Sequence, residues 1–186
     1  IFFTLFCIFI FISAFNMFDG TNLQSGLYSL SIIIIFILYS GYINLFLPII
    51  AFLIFFIFYN SQGKIFLGNA GSHAMGFTLS WFFIKLYNKD IIPNVDEVIL
   101  IMLIPGLDLA RLFITRLIKN AAFFSADQNH IHHIIMNKFT GYKLQLIILF
   151  LVLFPITIFY LTKIFFLSLI FGIINYFVLI YTFKKN

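Results

Sequence analysis

Residues 43–59 read Ile-Asn-Leu-Phe-Leu-Pro-Ile-Ile-Ala-Phe-Leu-Ile-Phe-Phe-Ile-Phe-Tyr, seventeen positions without a charged side chain. A bilayer core of about 30 Å takes about 20 mostly apolar residues to cross as a helix. In hydrocarbon the backbone has no water to bond, so such a run satisfies itself as a helix. Outward from it the chain repeats the pattern. Of 186 residues, 63% are hydrophobic and 9% charged, whereas a soluble domain has about 45–50% apolar and about 25% charged residues. The sequence therefore predicts an all-α, polytopic integral membrane protein. About seven spans are expected, at 1–15, 27–41, 43–59, 72–87, 96–117, 143–161 and 165–183, in one membrane-embedded domain over 1–186. The second span ends at a tight turn, Ser40-Gly41. The fifth is expected to run past the bilayer, since Asp108, Arg111 and Arg116 occupy its second half.

The chain opens at Ile1 inside an apolar run, with no charged segment before it and no small-residue cleavage site after it. That disfavours a signal peptide and sets the expectation of a longer protein beginning upstream. Cys7, the single cysteine, rules out an intrachain disulfide or a cysteine zinc cluster. The net charge of +5 comes from residues flanking the spans, so membrane topology explains it and nucleic acid is not an expected partner. With seven spans, one side carries Lys64, Arg111, Arg116, Lys119, Lys138, Lys143, Lys184 and Lys185, and the other Lys85, Lys89 and Lys163. The richer side is expected to be cytoplasmic.

Nearly every unusual polar group falls on that richer side. Asn16-Met-Phe-Asp19-Gly20-Thr-Asn22-Leu-Gln-Ser-Gly26 is polar between two apolar spans. Gly20 and Gly26 permit tight turns, and Asn16, Asp19 and Asn22 offer hard oxygens to Mg²⁺ or to a sugar or base. Lys64-Ile-Phe-Leu-Gly68-Asn69-Ala-Gly71-Ser72-His73 leads into a helix. Free N–H groups at Gly71 and Ser72 would suit phosphate, while Ser72 serves equally as an N-cap and His73 as an interfacial histidine. Asp108 and Arg111, three apart, can pair on one helix face, as a structural ion pair or, with Arg116, as a diphosphate clamp. Asp127-Gln-Asn-His130-Ile-His132-His133 gathers three of the four histidines, as donors to phosphate oxygens or proton carriers. The other side has Asp90, Asp96 and Glu97, ordinary loop residues beside Pro93. The spans between clusters are nearly free of charge, unlike those of a transporter with mid-bilayer ionisable groups.

Together these segments resemble the polyprenyl-phosphate N-acetylhexosamine-1-phosphate transferases (MraY/WecA type, glycosyltransferase 4 family), in order along nearly the whole chain. Asn16-Met-Phe-Asp19-Gly20-Thr-Asn22 resembles N-x-x-D-G-x-[DN]-G-L; Phe66-Leu-Gly68-Asn69-Ala-Gly71-Ser72 resembles F-[ML]-G-D-x-G-S; Pro105-Gly-Leu-Asp108 with its arginines resembles the P-x-x-D helix; Asp127 to His133 resembles D-x-x-H-x-H-H. His-Ile-His-His fits the N-acetylhexosamine branch better than the MraY branch. The resemblance implies transfer of a sugar-1-phosphate from a UDP-N-acetylhexosamine to undecaprenyl phosphate at the cytoplasmic face of the bacterial inner membrane, with release of UMP. It implies Mg²⁺, with Mn²⁺ as the alternative, held by Asn16 and Asn69. Asp19, His130, His132 and His133 would be catalytic. Asn22, Gly71, Ser72, Asp108, Arg111, Arg116 and Asp127 would bind substrate. A homodimer in membrane lipid is compatible with it.

Three departures stand out. The family has Asp where this chain has Asn69, and it has Gly after the position of Asn22, where this chain has Leu23. An aspartate pair that the family carries upstream is not in these residues. It is expected in an N-terminal part of three or four further spans, and the 186 residues alone are expected to be inactive. The alternatives are a catalytically degenerate member, favoured by Asn69, and a lipid-linked-sugar transporter.

Overall fold

The computed structural model describes residues 2–92, 94–119 and 129–184, and every regular element among them is helical. In chain order these are α1 (Phe2–Phe18), α2 (Gln24–Ser40), α3 (Ile43–Ser61), α4 (Gly68–Tyr87), α5 (Val95–Ile101), α6 (Leu103–Ile118), α7 (Ile131–Met136), α8 (Gly141–Thr162) and α9 (Phe165–Phe183). The chain divides into two compact units, residues 1–98 and 99–186.

The helices follow the expected segments, with three differences. α4 begins at Gly68, four residues before the expected start. The fifth segment is broken: α5 and α6 meet at Met102 with a bend of 62°. Pro105 accounts for the break. Its missing N–H costs nothing in a first helical turn, whereas deeper in a continuous helix its ring would press on the carbonyl four residues back. A new helix therefore starts at Leu103, where Pro105 is the third residue. Finally, the expected loop 118–142 contains α7.

By length and composition α3, α8 and α9 can cross a membrane, and the bent pair α5–α6 raises the number to four. α1 and α2 are apolar but have 17 residues each, and α4 opens with Gly-Asn-Ala-Gly-Ser-His, which dilutes its hydropathy. The multi-pass reading thus stands on three or four of the seven expected spans. Phe2, Leu38, Leu161 and Tyr181 are largely exposed, and apolar surface on this scale suits contact with lipid.

In unit one the core is aromatic. Phe15 stacks on Tyr28 at 6.0 Å, Phe18 meets the edge of Tyr28 at 5.2 Å, and Phe36 meets Phe83 edge-on at 4.7 Å. Edge and offset contacts of this kind are favoured by the ring quadrupoles. The first two hold the C-terminal end of α1, where Asn16 lies, against α2, and the third holds α2 against α4. Gly26 makes no turn; it sits within α2, where a Cβ would come to 2.8 Å from Ile57 Cγ1 of α3. In unit two, α8 and α9 pack at Gly172, where a Cβ would lie 2.7 Å from the Pro155 ring.

Candidate functional site

Unit one brings two of the four motifs together. The α1–α2 connection, with Asn16, Asp19, Thr21 and Asn22, faces the start of α4, with Phe66, Gly68 and Asn69, across a cleft of about 210 Å³. Ser72 Oγ donates to Asn16 Oδ1 and also lies 3.0 Å from the Gly68 carbonyl. Ser72 is 1% exposed, a full turn inside α4, so it is neither an N-cap nor an open phosphate donor: it fixes the Asn16 amide. Gly71 N–H is likewise spent, on the Leu67 carbonyl at 3.2 Å. The first residues of a helix are those whose N–H groups lack an intrahelical partner, and here those are Gly68, Asn69 and Ala70 rather than Gly71 and Ser72. Asn69, Asn22 and His73 are exposed.

Asp19 is half-buried at the cleft. Burial raises its carboxyl pKa above the usual carboxylate value, and a hydrogen bond from Ser25 opposes the rise. A cation beside it would favour the charged form.

The connection is shaped by two residues that motif reading passed over. Asn60, 4% exposed, accepts from Leu23 N–H at 2.5 Å and donates to the Ile65 carbonyl at 2.7 Å. It thereby ties the end of the first motif to the segment leading into the second. Its signal in the sequence is a polar amide closing the apolar run Ile43–Tyr59. Leu23 has φ 72°, the left-handed conformation that costs a residue with a Cβ about 1–2 kcal/mol. The turn the sequence assigned to Gly20 and Gly26 thus falls on Leu23, the position at which the resembling family has glycine. We expect Leu23→Gly to raise stability by about 0.5–1 kcal/mol, the relieved strain less glycine's larger chain entropy. Denaturant unfolding of the detergent-solubilised full-length protein checks it, and an unchanged or lower midpoint would refute the strain.

Unit two assembles the other polar groups around Asp108, which is 4% exposed. Its Oδ1 accepts from Arg111 Nη2 at 2.7 Å, from the Tyr176 hydroxyl at 2.9 Å and from Ile131 N–H at 3.2 Å. Its Oδ2 lies 3.0 Å from His130 Nδ1. A carboxylate only accepts, so Nδ1 carries the hydrogen and Nε2 is the other edge of that ring. Arg111 also donates from Nε to the Tyr176 oxygen at 2.9 Å and from Nη2 to the Asn129 carbonyl at 2.5 Å. The Asp108–Arg111 pair is therefore the seat of the histidine segment. Arg116 is buried, at 8% exposure.

The histidines differ from one another. His130 and His132 lie parallel at 5.4 Å, and His133 is tilted against His132 at 4.3 Å. His132 is 2% exposed, and its Nδ1 has no hydrogen-bond partner among the described residues. Burial, with smaller contributions from His133 and His130, lowers its pKa to about 3. At neutral pH it is an uncharged, enclosed ring, which does not suit the phosphate-donor role expected of it. Asp127 lies outside the described residues.

Comparison with known proteins gives the family likeness. Residues 1–87 match the model of glycosyl transferase family 4. The resemblance carried by the motifs is thereby borne out over that part of the chain. Likeness to individual proteins covers more of the chain. The chain is 36% identical over 145 residues to an undecaprenyl-phosphate alpha-N-acetylglucosaminyl 1-phosphate transferase of Yersinia pestis, covering 72% of this chain and 40% of that protein. It is 34% identical over 147 residues to the protein of the same name in Escherichia coli K12, covering 73% and 40%. A probable undecaprenyl-phosphate N-acetylglucosaminyl 1-phosphate transferase of Bacillus subtilis is 29% identical over 148 residues, covering 75% and 41%. The chain thus spans about 40% of the length of the curated relatives it matches. No solved structure matches it.

Proposed function

We propose that the full-length protein transfers a sugar-1-phosphate, N-acetylhexosamine-1-phosphate by preference, from a UDP-sugar to undecaprenyl phosphate. This would be the first membrane step of a cell-envelope polysaccharide. The observation that carries the reading is the cleft of unit one. Two segments some fifty residues apart bring one carboxylate, Asp19, and three amides, Asn16, Asn22 and Asn69, to a single small polar space. The printed function of the relatives supports it.

In the proposed reaction an oxygen of the lipid phosphate attacks the β-phosphorus of the UDP-sugar. The bond to the α-phosphate oxygen breaks, and UMP leaves with its electrons. Little covalent chemistry is asked of the protein; positioning and charge stabilisation do most of the work. The donor set fits Mg²⁺: it is all oxygen, with one carboxylate, and Mg²⁺ is usually held by one or two carboxylates together with substrate phosphates and water. Asn16, Asp19 and Asn69 would hold the ion, which when bound offsets negative charge on the diphosphate and the leaving UMP. Ser72 orients the Asn16 amide. His130 and His133 would donate to phosphate oxygens. The charge distribution along the sequence supports an inner-membrane enzyme with its active side cytoplasmic.

The test is a transfer assay on the purified full-length protein in nanodiscs, with undecaprenyl phosphate and UDP-N-acetylglucosamine labelled in the sugar. Label is expected to move into the lipid extract, with one UMP released per transfer and with dependence on added Mg²⁺. Absence of both label transfer and UMP release across UDP-N-acetylhexosamines would overturn the reading. Asn69 favours a second one, a family member with a weakened metal site.

A further inference from the structure

Tyr176 is not part of any motif. It lies in α9, more than forty residues beyond the histidines, and is 0% exposed. A tyrosine enclosed in an apolar helix needs a partner for its hydroxyl, and this one has two. It donates to Asp108 Oδ1 at 2.9 Å and accepts from Arg111 Nε at 2.9 Å. Both of those groups hold the backbone that presents His130: Asp108 through Ile131 N–H and the His130 ring, Arg111 through the Asn129 carbonyl.

We propose that Tyr176 is a positioning residue for the transfer reaction, its hydroxyl locking Asp108 and Arg111 in the one arrangement that aims the histidine segment. A carboxylate and a guanidinium three residues apart can pair in several ways on a helix face. The hydroxyl is the third point that fixes both planes. It gives up its hydrogen to the carboxylate oxygen that Arg111 also uses, and it takes the Nε hydrogen that would otherwise be buried without an acceptor. Losing it removes two bonds of one connected network, and in such networks deletions couple rather than add. The structural part of the proposal stands on the hydrogen bonds alone; the catalytic part rests on the transferase reading above.

Tyr176→Phe in the full-length protein removes the hydroxyl and keeps the ring. Two readouts separate the parts. Hydrogen exchange of the peptide covering 129–136 should become at least tenfold faster in Tyr176→Phe, with elution close to that of the parent and an unfolding midpoint lowered, since Arg111 Nε loses its acceptor. In the transfer assay kcat should fall about tenfold or more, while KM for the UDP-sugar changes less than threefold. In an Asp108→Asn background the same substitution should add less than a twofold further loss, a coupling that general loosening of α9 would not produce. Unchanged exchange at 129–136 would overturn the proposal whatever the activity. Faster exchange with a kcat within twofold of the parent would overturn the role in the reaction. A parent protein inactive in the assay would overturn the transferase reading, and the exchange result would still decide the positioning. Should Tyr176→Phe fail to fold, Asp108→Asn opens the same network from its other end, and slow exchange at 129–136 in that variant would overturn the proposal.

Discussion

Asp108→Ala is expected to cost about 3–5 kcal/mol of stability, the loss typical when one partner of a buried charge pair is removed. The carboxylate serves four donors: Arg111, Tyr176, His130 and the N–H of Ile131. Alanine would take this acceptor from all four, in a place where the Asp108 side chain is 5% and the Arg111 side chain 17% exposed, and would leave Arg111 only the Tyr176 and Asn129 oxygens. A buried donor left without an acceptor costs its full desolvation, which exceeds the net worth of the bond it had made. Asp108→Asn keeps the shape and one acceptor oxygen but not the charge, and should fall between the parent and Asp108→Ala. Chemical unfolding of the full-length protein in detergent measures the series. A loss under 1 kcal/mol for Asp108→Ala would mean that the network does not hold α6, α7 and α9 in place.

The largest functional effect is expected from Asn69→Asp. Asn69 is exposed at the start of α4, in the cleft with Asp19 and Asn16. An amide oxygen can ligate Mg²⁺ but brings no charge, and a second carboxylate adds direct attraction that solvent screens only in part. At limiting Mg²⁺ we expect transfer to rise about tenfold and the half-saturating Mg²⁺ concentration to drop by a similar factor. The gain should shrink as pH falls, because protons compete with the ion for the carboxylates and burial already raises the pKa of Asp19. Titration of the rate with Mg²⁺ at two pH values provides the check. An identical Mg²⁺ dependence in the parent and in Asn69→Asp would remove Asn69 from the proposed metal site.

Much of the architecture was legible because hydrophobic length is a strong signal. The run 43–59 became α3, and the turn at Ser40-Gly41 is a left-handed cap at Gly41, φ 68°. What composition could not show was strain and satisfaction. Pro105 was read as part of a family motif, whereas its ring also ends one helix and starts another. Gly71 and Ser72 looked like a helix start because small polar residues favour caps, yet α4 begins at Gly68 and uses Ser72 to hold Asn16. The motif residues Asn16, Asp19, Asn22 and Asn69 do share one cleft, since a polar segment beside an apolar span has few other places to go. Asn60 and Tyr176 escaped notice for the opposite reason: a single polar residue inside an apolar helix carries no pattern, and its meaning lies in partners far away in the chain. His132 was grouped with its neighbours by spacing, but burial separates it from them.

The elbow at Met102 has a bearing on how the enclosed carboxylate is tolerated. The limb that follows, 16 residues, is roughly 24 Å long at about 1.5 Å per residue, short of the full apolar thickness. Asp108 sits six positions into that limb, and at 4% exposure its charge is met by four protein donors rather than by water. A proline that interrupts a helix thus also sets where along the chain a neighbouring acid comes to face its partners.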